Sequence, residues 1–260
     1  MYQEKSISQD GRIILYPDYN IRVSSQKNVH GEKIVLRLLK KNKGIQDIFD
    51  LGFPRDEEIL KNSFDKRNSI TVIAAPTGEG KTTTLYSILD YLNKPEINVT
   101  TIEDPVEKNI NNLIQMQINE KAGITYENAL KSMLRCDPDV LVVGEVRDYK
   151  TAGQVITSTF SGHLVLSTIH AENSIGVINR LRDLNLSHED IKQTIICIVS
   201  QRLVRLTNNK RGLITEILTK EEIQNYIDNK IRNNNSLQNK FNIAYEKEII
   251  SLNEKEKWGY

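Results

Sequence analysis

The sequence contains few of the features that mark several protein classes. Its 260 residues include two cysteines, six prolines and one tryptophan. Cys136 and Cys197 are too few and too far apart for a disulfide framework or a zinc cluster, so we interpret both as buried thiols in a reducing compartment. No run approaches the roughly 20 apolar residues that cross a bilayer, and the first residues are charged where a signal peptide is apolar. We therefore expect a soluble chain that is not exported.

A large excess of charge of either sign is also lacking. The 35 lysines and arginines nearly balance the 34 aspartates and glutamates, which leaves a formal net charge of +1. Dedicated nucleic-acid-binding proteins usually carry a basic excess, so nucleic acid is not the expected partner. A chain of this length can bury one large core or two modest ones.

The first 43 residues have the composition of a small β-rich domain. Three runs with strand character, GRIILYP, NIRVSS and KIVLRLL, are separated by turn residues at 17–18 and 28–31. A sheet of three short strands is marginally stable by itself. A polar stretch that ends in Gly44 follows, and it divides the chain into predicted domains at residues 1–43 and 44–260.

From Ile70 onward, apolar runs alternate with amphipathic segments. The runs ITVIAA, NVTTI, DVLVVG and HLVLST lack the alternation of half-exposed strands, and each is followed by a helical pattern. This order predicts an α/β domain with a largely parallel sheet and a ligand at the carboxyl ends of the strands. Beyond Leu218 the chain is rich in asparagine and charge, and the spacing of Ile223, Ile227 and Ile231 predicts surface helices without chemistry.

The segment after the first of these strands predicts a phosphate-binding loop. It matches the pattern G-x-x-x-x-G-K-[ST] from position 75 to position 82, except that the first glycine is alanine. Glycines let the backbone turn its amides toward a phosphate, and the following helix adds its positive end. Lys81 is expected to reach the β- and γ-phosphates, and Thr82 to bind Mg²⁺. The predicted nucleotide-binding residues are Pro76, Thr77, Gly78, Glu79, Gly80, Lys81, Thr82 and Thr83.

Ala75 is the departure from this pattern. If the position requires a positive φ angle, alanine costs about 1–2 kcal/mol, whereas at a strand end with negative φ the methyl group costs little. The alternative interpretation of the whole segment is an ordinary strand-to-helix turn with a chance Lys-Thr pair. The flanking strand and helix favour the phosphate loop.

Two further predicted strands end in acidic residues. In DVLVVGEVRD, Gly144 permits a close approach and Glu145 follows it, so Glu145 is our first candidate for the general base and for a ligand of Mg²⁺ through water. The acidic run 103–107 follows NVTTI, and Pro105 keeps that strand from continuing. A solvated strand end is the alternative for Glu145, and a charged turn is the alternative for residues 103–107.

Two histidines lie at opposite ends of the predicted strand in SGHLVLSTIHAEN. A strand of this length spans more than about 15 Å at roughly 3.3 Å per residue, so His163 and His170 are not expected to share a metal ion. His170 lies at the carboxyl end, where it could contact a nucleotide or a neighbouring subunit. A hydrogen-bonded structural histidine is the alternative.

Together, these segments resemble the motifs of the secretion ATPases, the motors of type II secretion, type IV pili and competence pili. APTGEGKTTTLYSIL resembles their Walker A motif, TIEDPVE the aspartate box, LRCDPDVLVVGEVRD the Walker B motif and SGHLVLSTIHAENS the histidine box, and QRLVRL follows them as in the family. The resemblance covers about residues 10–218. It implies a RecA-like P-loop NTPase core that binds ATP and Mg²⁺ and hydrolyses ATP to ADP and phosphate.

The same resemblance implies partners and a location. The family assembles as a homo-oligomeric, hexameric ring at the cytoplasmic face of the membrane, associated peripherally and without inserting into it. The ring would drive assembly of a type IV pilus-like or pseudopilus fibre through a polytopic inner-membrane platform protein, in a competence or type II secretion system. A retraction motor of the same family, a nucleotide-binding scaffold with little hydrolysis and a nucleic-acid translocase are the alternatives.

The resemblance also implies site residues. The segments NIRVSS and GEKIVLRLL resemble the part of the family's N-terminal domain that supplies arginines to a nucleotide, and a guanidinium suits the charge that develops on a transferred phosphate. The catalytic candidates are therefore Glu145, Glu103, His170, Arg22 and Arg37. The second-tier candidates are Asp104, Glu107, His163 and Arg147.

Two further departures from the family's pattern affect the expectations. The family's N-terminal domain is larger than the segment before Lys40, so Met1 is expected to begin part-way through a domain. Either another chain completes that domain, or the sequence is a shortened or fragmentary form. Many pilus-assembly members carry a four-cysteine zinc module after QRLVR, whereas residues 207–214 contain no cysteine. Zinc is therefore not predicted.

Overall fold

The computed structural model describes residues 9–16, 19–40, 56–232 and 235–260. The chain divides into two compact units, Met1–Gly44 and Ile45–Tyr260. The domain boundary expected at residues 43 and 44 lies outside the described residues, so it stays a prediction. Among the helices that are described, none has the length and apolar character needed to cross a bilayer.

In the first unit, the described residues form an antiparallel sheet with the strand order β1-β2-β3. The strands are β1 (Gln9–Tyr16), β2 (Tyr19–Asn28) and β3 (Gly31–Lys40). A tight turn joins β2 to β3, with Gly31 at φ +130°, a conformation that favours glycine. Arg22 pairs directly with Arg37 across the two strands, so both arginines belong to the same face of the sheet.

In the described part of the second unit, seven strands form one sheet in the order β10-β9-β4-β8-β7-β5-β6. Neighbours are parallel except β9 and β10, which form an antiparallel hairpin. The strands are β4 (Ser69–Ala74), β5 (Val99–Glu103), β6 (Ile114–Gln117), β7 (Val140–Val143), β8 (Leu164–Ile169), β9 (Ile195–Arg205) and β10 (Arg211–Thr219). Every residue of β4, β5, β7 and β8 is buried, which explains why these strands lack polar alternation.

Helices cover both faces of this sheet. The helices are α1 (Glu57–Phe64), α2 (Lys81–Leu92), α3 (Tyr126–Met133), α4 (Tyr149–Phe160), α5 (Ser174–Asp183), α6 (His188–Thr194), α7 (Lys220–Asn229), α8 (Leu237–Glu246) and α9 (Leu252–Lys257). One apolar cluster packs α1 and α2 against one face of the sheet. A second cluster packs the five helices from α3 through α7 against the other face. The predicted α/β class with a largely parallel sheet is confirmed.

The C-terminal region differs from the expected surface helices. Helix α7 buries Ile223 and Ile227 but ends before Ile231, which is exposed. Helix α8 closes a third apolar cluster against the β9–β10 hairpin, with Phe241 fully buried, and Ile250 and Trp258 on either side of α9 complete it. The helices are present, but the sequence did not indicate how closely they pack, because asparagine and charged residues surround a narrow apolar stripe. A stripe at helical spacing is enough to bury one face.

The two cysteines occupy different environments. Cys197 is fully buried in β9, and this burial raises the pKa of its thiol to about 12. Cys136 ends a short 3-10 turn ahead of β7 and is exposed. The interpretation as a buried thiol is therefore right for Cys197 and wrong for Cys136, whose turn lies on the surface between two buried elements.

Candidate active site

The phosphate-loop segment connects the end of β4 to the start of α2. Within this fully described segment, positive φ angles occur at Gly78 (+87°) and Gly80 (+80°), where the absence of a side chain removes the steric cost. Ala75 is completely buried and has no positive φ, so the alanine at the first motif position adds no backbone strain.

Helix α2 begins without a side-chain cap. Its N-cap residue is Gly80, and no acidic residue lies in its first turn. The first amides of an α-helix have no acceptor within the helix, and together they attract an anion. Thr82 lies half-buried in this first turn, beside Lys81. The segment therefore has the geometry of a phosphate site.

The ammonium of Lys81 folds back over the loop. Its Nζ donates to the carbonyl oxygen of Ala75 at 2.6 Å and lies 2.9 Å from Nδ1 of His170. Desolvation lowers the pKa of Lys81 to about 8, although the charge of Glu145 opposes this shift. A lysine with this pKa is charged at neutral pH and gains from any anion that replaces its present partners.

His170 links Lys81 to Glu145. Ile169, the residue before it, pairs with Ala74 at the end of β4, so the register of the sheet places position 170 beside the phosphate loop. His170 Nε2 lies 3.0 Å from Glu145 Oε1. Burial and the charge of Lys81 lower the pKa of His170. The contacts fit the neutral tautomer with its proton on Nε2, an assignment made from the hydrogen-bond pattern.

Glu145 is held from the other side by an arginine. Arg147 Nε donates to Glu145 Oε2 at 2.6 Å, and its NH1 group lies 3.3 Å from Asp104 Oδ2. Lys81, His170, Glu145, Arg147 and Asp104 thus form one continuous chain of polar contacts. It joins the start of α2 to the carboxyl ends of β8, β7 and β5.

Gly144 sets the position of Glu145. Its amide donates to Ile102 O at 2.8 Å, and its carbonyl oxygen accepts from Thr168 Oγ1 at 2.6 Å. A Cβ atom at Gly144 would lie 3.1 Å from Ile102 O, which is closer than ordinary contact. The close approach expected at this glycine is therefore present, and it fixes the end of β7 between β5 and β8.

Glu103 also lies at this edge of the sheet, but it faces inward. Its side chain is 5% exposed and accepts from Tyr86 Oη at 2.5 Å, Thr101 Oγ1 at 2.6 Å and Gln115 Nε2 at 3.1 Å. Tyr86 Oη in turn accepts from the amides of Glu107 and Lys108. Glu103 therefore anchors the acidic segment to α2.

The remaining predicted residues are spread over the molecule. His163 is buried before β8, with Nδ1 3.0 Å from Ser158 O, so the two histidines flank one strand as expected. Arg22 and Arg37 belong to the first unit. Among the described residues, no group of three or more histidine, cysteine, aspartate or glutamate side chains is placed to hold a metal ion. A Mg²⁺ ion held mainly by phosphates needs only one or two protein oxygens, which the Thr82 hydroxyl and the Glu145 carboxylate can supply.

Sequence reasoning missed the contribution of β9. Gln201 is fully buried and contacts the phosphate loop. Arg205 and Arg211 pair across the β9–β10 hairpin and line an open cleft together with Gly78 and Glu79. The segment QRLVRL was the available signal, but only its position in the motif order was used.

Comparisons with known proteins identify the family of the chain. Residues 1–248 match the family described as Type II/IV secretion system protein. The chain belongs to this family. The predicted membership of the secretion and pilus ATPase family is confirmed.

Two curated relatives illustrate the similarity. The chain is 41% identical over 207 residues to the type II secretion system protein E of Pseudomonas aeruginosa, which covers 78% of this chain and 41% of that protein. It is 42% identical over 206 residues to the type IV pilus assembly ATPase PilB of Thermus thermophilus, which covers 78% of this chain and 23% of that protein. The chain thus spans about two fifths of the length of its type II relative.

Solved structures share the fold. The crystal structure of the pilus retraction motor PilT with bound ADP has a TM-score of 0.81 and 26% identity, and the match covers 98% of this chain and 78% of that one. The ATPase DotB of Legionella pneumophila has a TM-score of 0.77 at 20% identity, over 97% of this chain and 77% of that one. The RecA-like fold class implied by the motifs is confirmed.

Proposed function

We propose that this chain is an ATP-hydrolysing motor that powers assembly of a type IV pilus-like or pseudopilus fibre. The observation that carries the proposal is the continuous chain of contacts from Lys81 through His170 to Glu145, beside an uncapped helix N-terminus. A phosphate-binding loop and a carboxylate at the end of a nearby strand are the parts that phosphoryl transfer to water requires. That the motor assembles a fibre is inferred from the family to which the chain belongs.

In this proposal, the loop binds the phosphates and the residues around it act on the metal ion and the attacking water. The loop residues from Pro76 to Thr83 bind the phosphates through backbone amides, and Lys81 exchanges its contacts with Ala75 and His170 for phosphate oxygens. Glu145 accepts the proton of the attacking water. Mg²⁺, when bound, neutralises charge on the β- and γ-phosphates, and Thr82 and Glu145 are the residues that would hold it.

The surrounding residues support Glu145. Arg147 and Asp104 hold its carboxylate from the side away from His170. Glu103 and Glu107 belong to the segment that Tyr86 anchors to α2. We assign Glu103 a positioning task because it is buried and three uncharged side chains donate to its oxygens. His163 keeps the start of β8 in place through its contact with Ser158.

Arg22 and Arg37 are proposed as arginine fingers. They pair directly across β2 and β3, so one face of the small sheet presents two guanidinium groups. In a hexameric ring, this face would meet the nucleotide of an adjacent subunit and stabilise the charge on the transferred phosphate. The domains proposed for these tasks are residues 1–43 and residues 44–260.

The location and partners follow from the family relationship. We place the ring at the cytoplasmic face of the membrane, in peripheral association with a polytopic platform protein and without nucleic acid. The likeness to the retraction motor PilT supports retraction as a second candidate. The residues of the site do not distinguish the direction of work, since both motors need the same phosphate chemistry.

An ATPase assay tests the proposal. Phosphate release with ATP and Mg²⁺ should rise more steeply than linearly with protein concentration, because a finger from one subunit acts on another. Arg22→Ala and Arg37→Ala should retain ATP binding and lose about 10³-fold or more in turnover, the usual effect of an arginine finger. Lys33→Ala, which removes a charge from the same strand as Arg37, is the matched control.

Two results would count against it. No phosphate release at any protein concentration would overturn the motor and favour a nucleotide-binding scaffold. Normal turnover in both arginine variants would overturn the finger assignment and leave the core assignment standing.

A further inference from the structure

A buried glutamine connects strand β9 to the phosphate loop. Gln201 has no exposed surface. Its Nε2 donates to the carbonyl oxygen of Glu79 at 2.6 Å, and its Oε1 accepts from Thr84 Oγ1 at 2.8 Å. One contact is in the loop and the other is in the first turn of α2. A single side chain therefore holds both parts of the phosphate site, with its donor and its acceptor both in use.

The side chain of Glu79, in the phosphate loop, also binds the backbone of β9. The carboxylate of Glu79 accepts from the amide of Leu203 at 2.7 Å. Pairing between β4 and β9 ends at Ala74 and Ser200, so β9 continues alongside the loop after β4 has stopped. The two reciprocal bonds replace the sheet ladder at the point where the regular backbone pairing ends.

The shape of the loop depends on this close approach. Gly80 has φ +80°, and a Cβ atom there would lie 3.3 Å from Gln201 Nε2. Position 80 thus needs glycine for its backbone conformation and for the space that the amide of Gln201 occupies. The backbone conformation at Gly80 and the position of the Gln201 amide therefore depend on each other.

Strand β9 is held in place by contacts to parts of the molecule other than the loop. The guanidinium of Arg202 donates to the carbonyl oxygens of Gln201 and Glu172, and it lies under the ring of Trp258 at 5.2 Å. Ser200 accepts a hydrogen bond from Ser174 Oγ at 3.1 Å. This part of β9 is therefore fixed to the start of α5 and to the C-terminal cluster, independently of the loop.

We propose that Gln201 is a positioning residue for the nucleotide phosphates. It fixes the carbonyl of Glu79 and thereby the direction of the loop amides that receive a phosphate. Gln201 touches the loop and not the reacting atoms, so it acts through the backbone. The inference rests on the proposed function because it takes the ligand to be a nucleotide.

Binding measurements on the full chain test this role. Gln201→Leu keeps a similar volume and removes both hydrogen-bonding groups, so the Kd for ATP with Mg²⁺ and the Kd for ADP should each rise about tenfold or more, which corresponds to the loss of one buried hydrogen bond to the loop. Thr84→Val removes only the contact to α2 and should raise the Kd less. Ser200→Ala is the matched control: Ser200 is buried in the same strand, its hydroxyl bonds to Ser174 at the start of α5, and the variant should leave the Kd within about twofold.

The outcomes separate this inference from the function. If wild type binds ATP and folded Gln201→Leu, judged by circular dichroism and its melting curve, binds it equally well, the positioning role is wrong. Equal weakening by Ser200→Ala would also overturn it, because the effect would then be general loosening of β9. If wild type binds no nucleotide, the proposed function fails first. If Gln201→Leu does not fold, Gln201→Glu keeps an acceptor for Thr84 and loses the donor to the carbonyl oxygen of Glu79, and an unchanged Kd there would overturn the role.

Discussion

Glu103 and Glu145 end neighbouring strands at the same edge of the sheet, yet their surroundings are opposite. Glu103 is buried and accepts hydrogen bonds from three uncharged side chains, those of Tyr86, Thr101 and Gln115. Glu145 contacts His170 and Arg147, at the mouth of the phosphate loop. Both carboxylates have protein partners, but those of Glu103 are buried and uncharged, so it fixes structure. Glu145 is partly exposed beside the phosphate loop and its partners are exposed, so it can exchange protons with a ligand or water.

The two glutamates are expected to differ most in their effect on catalysis. Glu145→Gln keeps the size and the hydrogen-bonding reach of the side chain but cannot take a proton, so ATP turnover should fall about 10²–10⁴-fold. The Kd for ATP should change little. Steady-state phosphate release and equilibrium ATP binding measure the two quantities.

Glu103→Gln is the matched variant for this test. Its carboxamide oxygen still accepts from a neighbouring donor, so turnover should fall less than about tenfold, the size of one weakened hydrogen bond. If Glu103→Gln abolished turnover and Glu145→Gln did not, the two carboxylates would exchange their proposed tasks.

The effects of the two glutamates on the free energy of unfolding should have the reverse order. Glu103→Ala leaves the donors of Tyr86, Thr101 and Gln115 without their acceptor in a buried place, so the free energy of unfolding should fall by about 2–4 kcal/mol. Glu145→Ala should cost less than about 1 kcal/mol, because its partners are partly exposed and remain hydrated. Urea denaturation without nucleotide provides both values, with Tyr86→Phe as an intermediate control. Equal losses at the two glutamates would remove the distinction between them.

The smallest expected effect is the uptake of a proton by Lys81, on the Glu145 side of the site, when ATP binds. Lys81 has a pKa of about 8 without nucleotide, and bound phosphate favours its charged form and raises that pKa. ATP binding at pH 8.5 should therefore take up between about half and three quarters of a proton, and affinity should weaken as pH rises through about 8. At pH 6.5 Lys81 is already charged and contributes almost no uptake.

Calorimetry in buffers of different ionisation enthalpy measures this uptake at both pH values. Lys81→Arg, which stays charged at either pH, is the control. Binding heats at pH 8.5 that do not depend on the buffer would show that Lys81 is fully charged before nucleotide arrives.

Local patterns predicted much of the fold and part of the site. The buried strands β4, β5, β7 and β8, the loop glycines and the close approach at Gly144 all depend on residues near each other in the chain. The inward orientation of Glu103 does not, because it is decided by Tyr86, 17 residues earlier, and Gln115, 12 residues later. Gln201 meets Glu79 across 122 residues. A pattern in the sequence contains the residue types but not the pairing between such distant positions.

The packing of the C-terminal helices was missed for a related reason. Leu237, Phe241 and Ala244 of α8 become a buried face because the β9–β10 hairpin lies against them. Composition alone describes such a helix as a surface element, since it averages the buried stripe with the polar residues around it.

The uncapped start of α2 has one more consequence. Helices α4, α5, α7 and α8 begin with a side-chain oxygen that accepts a backbone N–H, whereas α2 begins at Gly80 with none. A bound phosphate would supply the missing acceptor, so the ligand completes the helix as a cap. The amides of the first turn of α2 would then exchange with deuterium more slowly in the occupied site. Exchange at these few positions would report occupancy separately from turnover.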